Sequence, residues 1–172
     1  MAVILTPYRP GYLDELLGLF RETVHCVCAG DYTPDQLDAW APEKLDRSAW
    51  AVSLAEHDTL VALEDGTTVG FADLDGGYLD RLYVRCGYGG RGIGSQLCDE
   101  LEALARSRGH RSVTVDASIT ARPFFERRGY RIVREQQVPR RGQVLTNYHM
   151  EKRFSDSGER AHSQGDRHAP KT

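Results

Sequence analysis

The stretch VRCGYGGRGIGSQL, residues 84–97, holds five glycines in eight positions (Gly87, Gly89, Gly90, Gly92 and Gly94) and then turns apolar and helix-forming. Glycine weakens both helices and strands, so such a density is kept only where the main chain has to be bare. A tight turn alone needs fewer, and the excess points to a ligand lying against the backbone. YLDRLYV before the loop reads as a strand. SQLCDELEALARSRG after it reads as a helix, with Leu97, Leu101 and Leu104 on one stripe, Arg106 and Arg108 at its negative end and Gly109 as its stop. A helix N-terminus offers free N–H groups and partial positive charge, and glycines let successive amides converge on one anion. Gly90, Gly92 and Gly94, with Ile93 packed inward and Ser95 adding a hydroxyl, are therefore expected to cradle a pyrophosphate.

Outward from the loop, the remaining elements follow from local pattern. AVILTPYRP gives a first strand. Leu13, Leu16, Leu17, Phe20 and Val24 recur at helical spacing, Thr33-Pro34 caps a second helix, and a third carries Trp50 and Leu54. TLVALEDGTTVGFADLD makes two strands joined at Asp65-Gly66. RSVTVDAS is a short strand, TARPFFERRG a short helix, and YRIVREQQV with VLTNYHMEKRF a closing hairpin. The order predicts an α+β fold: a mixed, mostly antiparallel sheet flanked by helices, with one parallel, right-handed strand–helix–strand crossover. Residues 1–154 are expected to form one domain. Residues 155–172 lack large apolar side chains and are expected to be a disordered tail.

Gly87, Gly89 and Gly92 also match G-x-G-x-x-G, with Asp116 where a ribose-binding acid could sit. The motif lies mid-chain, however, and too few strand–helix alternations surround it for a doubly wound sheet. No Gly-Lys-Ser/Thr of a Walker loop occurs.

LDRLYVRCGYGGRGIGSQL, followed by VDASITARPFFERRGY, resembles the GNAT superfamily of acetyl-CoA-dependent N-acyltransferases, over residues 1–153. TVHCVCAGDYTPDQLDAWAP and LTNYHMEK resemble one bacterial branch of it. The resemblance implies a GNAT-type fold, acetyl-CoA as co-substrate, no metal, and amides of Gly90, Arg91, Gly92, Ile93, Gly94 and Ser95 on the coenzyme pyrophosphate. It implies that the main chain of Leu82, Tyr83 and Val84 pairs with the pantetheine arm, from which VTVDAS splays away. It also admits a homodimer.

Three positions depart from the family pattern. Gly89 stands where a Gln or Arg usually opens the loop motif. Ser118 replaces an Asn near the pantetheine. Phe125 occupies the place of a tyrosine suited to protonating the leaving thiolate. One of Phe124 and Phe125 is expected in the core, the other on the thioester wall. Tyr148 and Tyr83 are the candidates for the missing proton donor. Asp80 is the candidate base, with Asp116 second; strict alternation would put Asp80 on one face with Leu82 and Val84. His25, Tyr32 and Trp40 are the candidates for lining the acceptor site, and Arg122 or Arg127 for meeting the adenosine 3′-phosphate.

The chain has 172 residues and a formal net charge of −3, with no basic footprint for nucleic acid. No apolar run reaches membrane-spanning length and no signal peptide opens the chain, so a cytoplasmic protein is expected. Cys26, Cys28, Cys86 and Cys98 lack zinc-ligand spacing and are expected as reduced thiols. Neither Cys86 nor Cys98 has an obvious base beside it, which sets aside an acyl-enzyme route. An N-acetyltransferase acting on a primary amine in a ternary complex is the leading reading. A non-catalytic acyl-CoA-binding module and a nicotinamide oxidoreductase are the alternatives.

Overall fold

Seven strands form one sheet in the order β1-β2-β3-β4-β5-β7-β6. They are Val3–Pro7 (β1), Asp58–Glu64 (β2), Thr67–Asp75 (β3), Tyr78–Val84 (β4), Ser112–Ser118 (β5), Arg131–Arg140 (β6) and Gln143–Arg153 (β7). The structure, a computed structural model, describes residues 2–155. The tail expected to be disordered lies, from residue 156 on, outside the described residues.

Two apolar layers clasp the sheet. Helices Leu13–Val27 (α1), Pro34–Trp40 (α2) and Arg47–Glu56 (α3) cover one face, with Leu16, Leu19, Phe20 and Val24 packed towards Val61 and Phe71. Helices Ile93–Ser107 (α4) and Arg122–Arg127 (α5) cover the other, where Ile93, Leu97 and Leu101 meet Val69, Leu79 and Val115. β3 lies between the layers and is buried along nearly its whole length. The expected cap of α2 is present as a reciprocal pair: Thr33 Oγ1 accepts from Gln36 N, and Gln36 Oε1 accepts from Thr33 N.

Neighbouring strands are antiparallel except β4 and β5, which are parallel and joined by α4. That pair meets at only two positions, Tyr78 with Thr114 and Leu79 with Val115. Beyond Leu79 the strands part. β4 also carries a bulge: Asp73 faces Arg81 and Leu74 faces Leu79, so Asp80 is the extra residue with no partner on β3. The bulge overturns strict alternation. Leu79, Leu82 and Val84 pack towards α4, whereas Asp80 joins Tyr78 and Tyr83 around a hollow on the opposite side.

The thiols differ from expectation as well. Cys26, on α1, forms a disulfide with Cys86, just beyond β4, across 60 residues of sequence and a Cα–Cα distance of 6.2 Å. Local spacing carries no trace of a contact made only by the folded chain. Cys28 and Cys98 are free and buried. Burial pushes the Cys98 thiol up to about 12, which suits a packing residue and not a nucleophile.

Gly70, on β3, marks where α4 presses closest to the sheet. A Cβ there would lie 3.1 Å from the Tyr83 carbonyl oxygen and 3.2 Å from Ile93 Cγ2. Gly70→Val is expected to destabilise the fold by roughly 1–3 kcal/mol through overpacking. A urea titration checks this, and an unchanged midpoint would mean that α4 moves away freely.

Candidate active site

The parting of β4 from β5 opens a groove of about 560 Å³. Its floor is Leu82, Tyr83 and Val84, its far end the glycine loop, and its wall Ser118, Ala121, Phe124 and Arg127. On this edge β4 runs on beyond its last rung with β5, so the strand is open to a ligand that pairs as another strand would. Thr23 Oγ1 donates to the Val84 carbonyl at 3.2 Å and ties α1 to the end of β4.

The glycines of the loop serve different ends. Gly90 and Gly92 take left-handed backbone, with φ of 75° and 82°, and Gly92 is the residue that starts α4. Gly94 is bare for packing: a Cβ there would lie 3.4 Å from the Phe124 ring. Gly89 has neither reason, since its φ is not positive and a Cβ would meet nothing within 4 Å. Its missing side chain leaves open space on the groove itself.

A second hollow, of about 140 Å³, adjoins the groove; Trp40, Tyr83 and Ser118 line both. Tyr32, Tyr78, Asp80 and Asp116 line it on one side, and Val138, Arg140, Leu145, Thr146 and Asn147 of the β6–β7 hairpin on the other. Tyr32 bridges its walls: its hydroxyl donates to the Thr146 carbonyl at 2.7 Å and accepts from Ile119 N at 2.9 Å. Burial pushes the Tyr32 phenol up to about 12. Burial raises the Tyr83 phenol too, against a smaller opposing pull from Trp40, so that hydroxyl keeps its proton at neutral pH.

The two acids of this hollow differ in what they have spare. Asp116 accepts from the Tyr78 hydroxyl (2.9 Å), Gln136 Nε2 (3.1 Å) and, as donor, His149 Nδ1 (2.7 Å). Asp80 is held from behind. Its Oδ2 lies 3.3 Å from Arg81 Nη1 and 3.7 Å from His57 Nδ1, and both of these side chains lean on Asp73. Asp73 is fully buried, burial raises its pKa, and its Oδ1 has no hydrogen-bond partner among the described residues. His57, Asp73 and Asp80 bring ligand atoms within 4.8 Å of one another, but Arg81 already stands against both carboxylates as their cation.

Several of the sequence-derived candidates thus fall together. Leu82, Tyr83, Val84, Gly89, Gly90, Gly92, Ile93, Gly94, Ser95, Ser118 and Phe124 line the groove; Asp80, Tyr83, Tyr32 and Trp40 line the hollow. Ile93 reaches the groove only at its edge, because its side chain is in the core. Ser118 Oγ accepts from Ala121 N at 3.0 Å and helps start α5. Five candidates lie elsewhere. Phe125 is buried against Tyr130 in the core, leaving Phe124 to the groove. Arg91 turns away to pair with Glu64. His25 Nε2 bonds the Ala41 carbonyl at 2.9 Å and fastens α1 to the end of α2. Tyr148 lies outside both cavities, its hydroxyl 3.3 Å from Glu135 Oε1 and its ring under Arg122. Arg122 is further tied to Glu126, so of the two candidate arginines only Arg127 reaches the groove.

Sequence reasoning missed Tyr78, His57, Asp73 and the hairpin residues. Asp73 left a trace, as an acid inside an otherwise apolar central strand. The hairpin residues left none.

A family model described as an acetyltransferase (GNAT) domain matches residues 28–152. The uncharacterised N-acetyltransferase YafP of Escherichia coli K12 is 39% identical over 143 residues, which is 83% of this chain and 91% of that protein. A GCN5-related N-acetyltransferase structure from Rhodopseudomonas palustris superposes with a TM-score of 0.86 at 37% identity, over 90% of this chain and 97% of that one. The PaiA N-acetyltransferase of Thermoplasma acidophilum, solved with coenzyme A, shares the fold at 20% identity, with a TM-score of 0.73 and coverage of 90% and 100%.

Tyr32 gives this geometry a pH signature. Its pKa is about 12 folded against 10.0 ordinarily. Between those values the unfolded chain binds fewer protons, so the stabilisation is intact below pH 10 and is lost as pH rises towards 12. Tyr32→Phe should lower the baseline by about 1–3 kcal/mol, through the stranded Thr146 carbonyl and Ile119 N–H, and flatten this alkaline slope. Denaturant titrations across the window check both effects; an unaltered slope would deny Tyr32 its part.

Proposed function

Since this chain belongs to the GNAT acetyltransferase family, we propose that it moves an acetyl group from acetyl-CoA to a primary amine, by direct attack with both substrates bound. The observation that carries this reading is the meeting of groove and hollow at Tyr83, Trp40 and Ser118. A bare acyl-CoA-binding module needs the first cavity and has no use for the second.

The groove suits coenzyme A part by part. The loop amides at the head of α4 take the pyrophosphate, with Ser95 beside them and Arg127 placed for a further phosphate. The free edge of β4 takes the amides of the pantetheine arm, and Phe124 walls it. The thioester then lies at the junction, its carbonyl polarised by a main-chain amide near Val84.

An alkylamine has a pKa of ~10.4, so only about one molecule in a thousand is unprotonated at neutral pH. Asp80 takes the proton, directly or through one water, from the amine in the hollow. The nitrogen attacks the thioester carbon, the C–S bond breaks as the tetrahedral intermediate collapses, and the surplus proton left on that nitrogen passes through water to the Tyr83 oxygen as its hydroxyl donates. The Tyr83 hydroxyl gives its proton to the departing thiolate. It supplies the donor that Phe125 cannot; the thiol formed has an ordinary pKa of ~8.5, so its thiolate is a weak base that leaves with little proton donation.

Gly89→Val tests the cradle, because φ at Gly89 is not positive, an added Cβ meets nothing within 4 Å, and the residue lines the groove. It should weaken acetyl-CoA binding at least ~10-fold in calorimetry, about 1.4 kcal/mol, with folding unchanged. Equal affinity would remove the loop from the site. Asp80→Asn should lower kcat by roughly 100-fold in a thiol-release assay over an amine panel, and Tyr83→Phe by less. Acetyl-CoA binding with no thiol released by any amine would leave only the binding module standing.

A further inference from the structure

The hollow carries two charges of opposite sign with capacity to spare. Asp80 has one oxygen facing His57 and Arg81 and the other without a hydrogen bond or ion pair among the described residues. Arg140, from the end of β6, lines the same hollow and has no hydrogen bond or ion pair among the described residues. The other charged groups nearby are engaged: Asp116 by three donors, and Arg141 by the Ala39 carbonyl at 2.6 Å. Four aromatic rings, Tyr32, Trp40, Tyr78 and Tyr83, line part of what remains. At about 140 Å³ the space is well below the roughly 300–1,000 Å³ of a drug-sized site, so the part of the acceptor held here is small.

We infer that the acceptor is a small aminocarboxylate, an amine carrying its own carboxylate a few bonds away, with the amine at Asp80 and the carboxylate on Arg140. This rests on the acetyl-transfer reading and adds the class of acceptor to it. The two charges orient the molecule. Asp80 draws the ammonium towards the Tyr83 junction and repels a carboxylate. Arg140, exposed at the rim, presents a planar fork that takes a carboxylate through two parallel hydrogen bonds. A polyamine would set its second cation against Arg140, and an unsubstituted alkylamine would leave that guanidinium unused.

The test uses three matched pairs: alanine with ethylamine, leucine with isopentylamine, and phenylalanine with phenethylamine. Each is titrated calorimetrically into the full chain saturated with coenzyme A, and each is assayed separately for thiol release from acetyl-CoA. At least one acid should bind 10-fold or more tightly than its decarboxylated partner. Arg140→Ala should abolish that difference and Arg140→Glu reverse it, with acetyl-CoA affinity unchanged. Equal binding within all three pairs, no binding by any acid, or a preference that survives in Arg140→Ala overturns the inference. Selective binding without thiol release upholds the acceptor class and counts against acetyl transfer instead.

Discussion

Two rungs of hydrogen-bonded pairing hold the halves of this sheet together. Tyr78 meets Thr114 and Leu79 meets Val115, and from there β4 and β5 diverge. Unpaired strand edges inside a protein are costly unless something satisfies them, so a sheet that opens along its middle needs an occupant. Every part of the candidate site depends on that opening. The glycine loop closes one end, Phe124 and Ser118 form the β5-side wall, and the hollow adjoins the groove at Trp40, Tyr83 and Ser118. Ile93 and Leu97 set the width from beneath, because they rest on Gly70, where no side chain intervenes.

The bulge at Asp80 is the second device of β4. An inserted residue cannot pair, but it can be re-aimed. Without it, Asp80 would share a face with Leu82, among the apolar residues over α4. With it, the carboxylate turns to the hollow and the strand regains its alternation on either side. The cluster behind it is arranged to keep that carboxylate in place. Asp73 is buried and engages Arg81 and His57, and these two flank Asp80. A buried acid with one orphan oxygen is an expensive way to hold two side chains, and it is sited directly behind Asp80.

What could be read from the sequence is what is decided locally. The caps at Thr33-Pro34, the turn at Asp65-Gly66, the apolar stripes of α1 and α4 and the density of glycine between residues 87 and 94 all rest on neighbours within a few positions. What could not be read depends on register and on distant partners. A one-residue bulge reverses the facing of Asp80, and nothing beside it announces the bulge. Phe124 and Phe125 are adjacent, of one type, and separated into groove and core only by the turn of a six-residue helix. His25 and Tyr148 carry suitable chemistry but are claimed by the Ala41 carbonyl and by Glu135. Arg140 ends the edge strand β6, which is mostly exposed, so no apolar pattern fixed where its end would reach.

The position of Trp40 has a practical side. It is one of only two indoles in the chain and lies where both cavities meet. The other, Trp50, is packed against Phe20 with the Arg81 guanidinium 4.3 Å from its ring centre, away from either opening. The molecule therefore carries one emitting group at the seam between its chambers and one reference group outside them. Ultraviolet fluorescence can follow the filling of each chamber in turn without any label being attached.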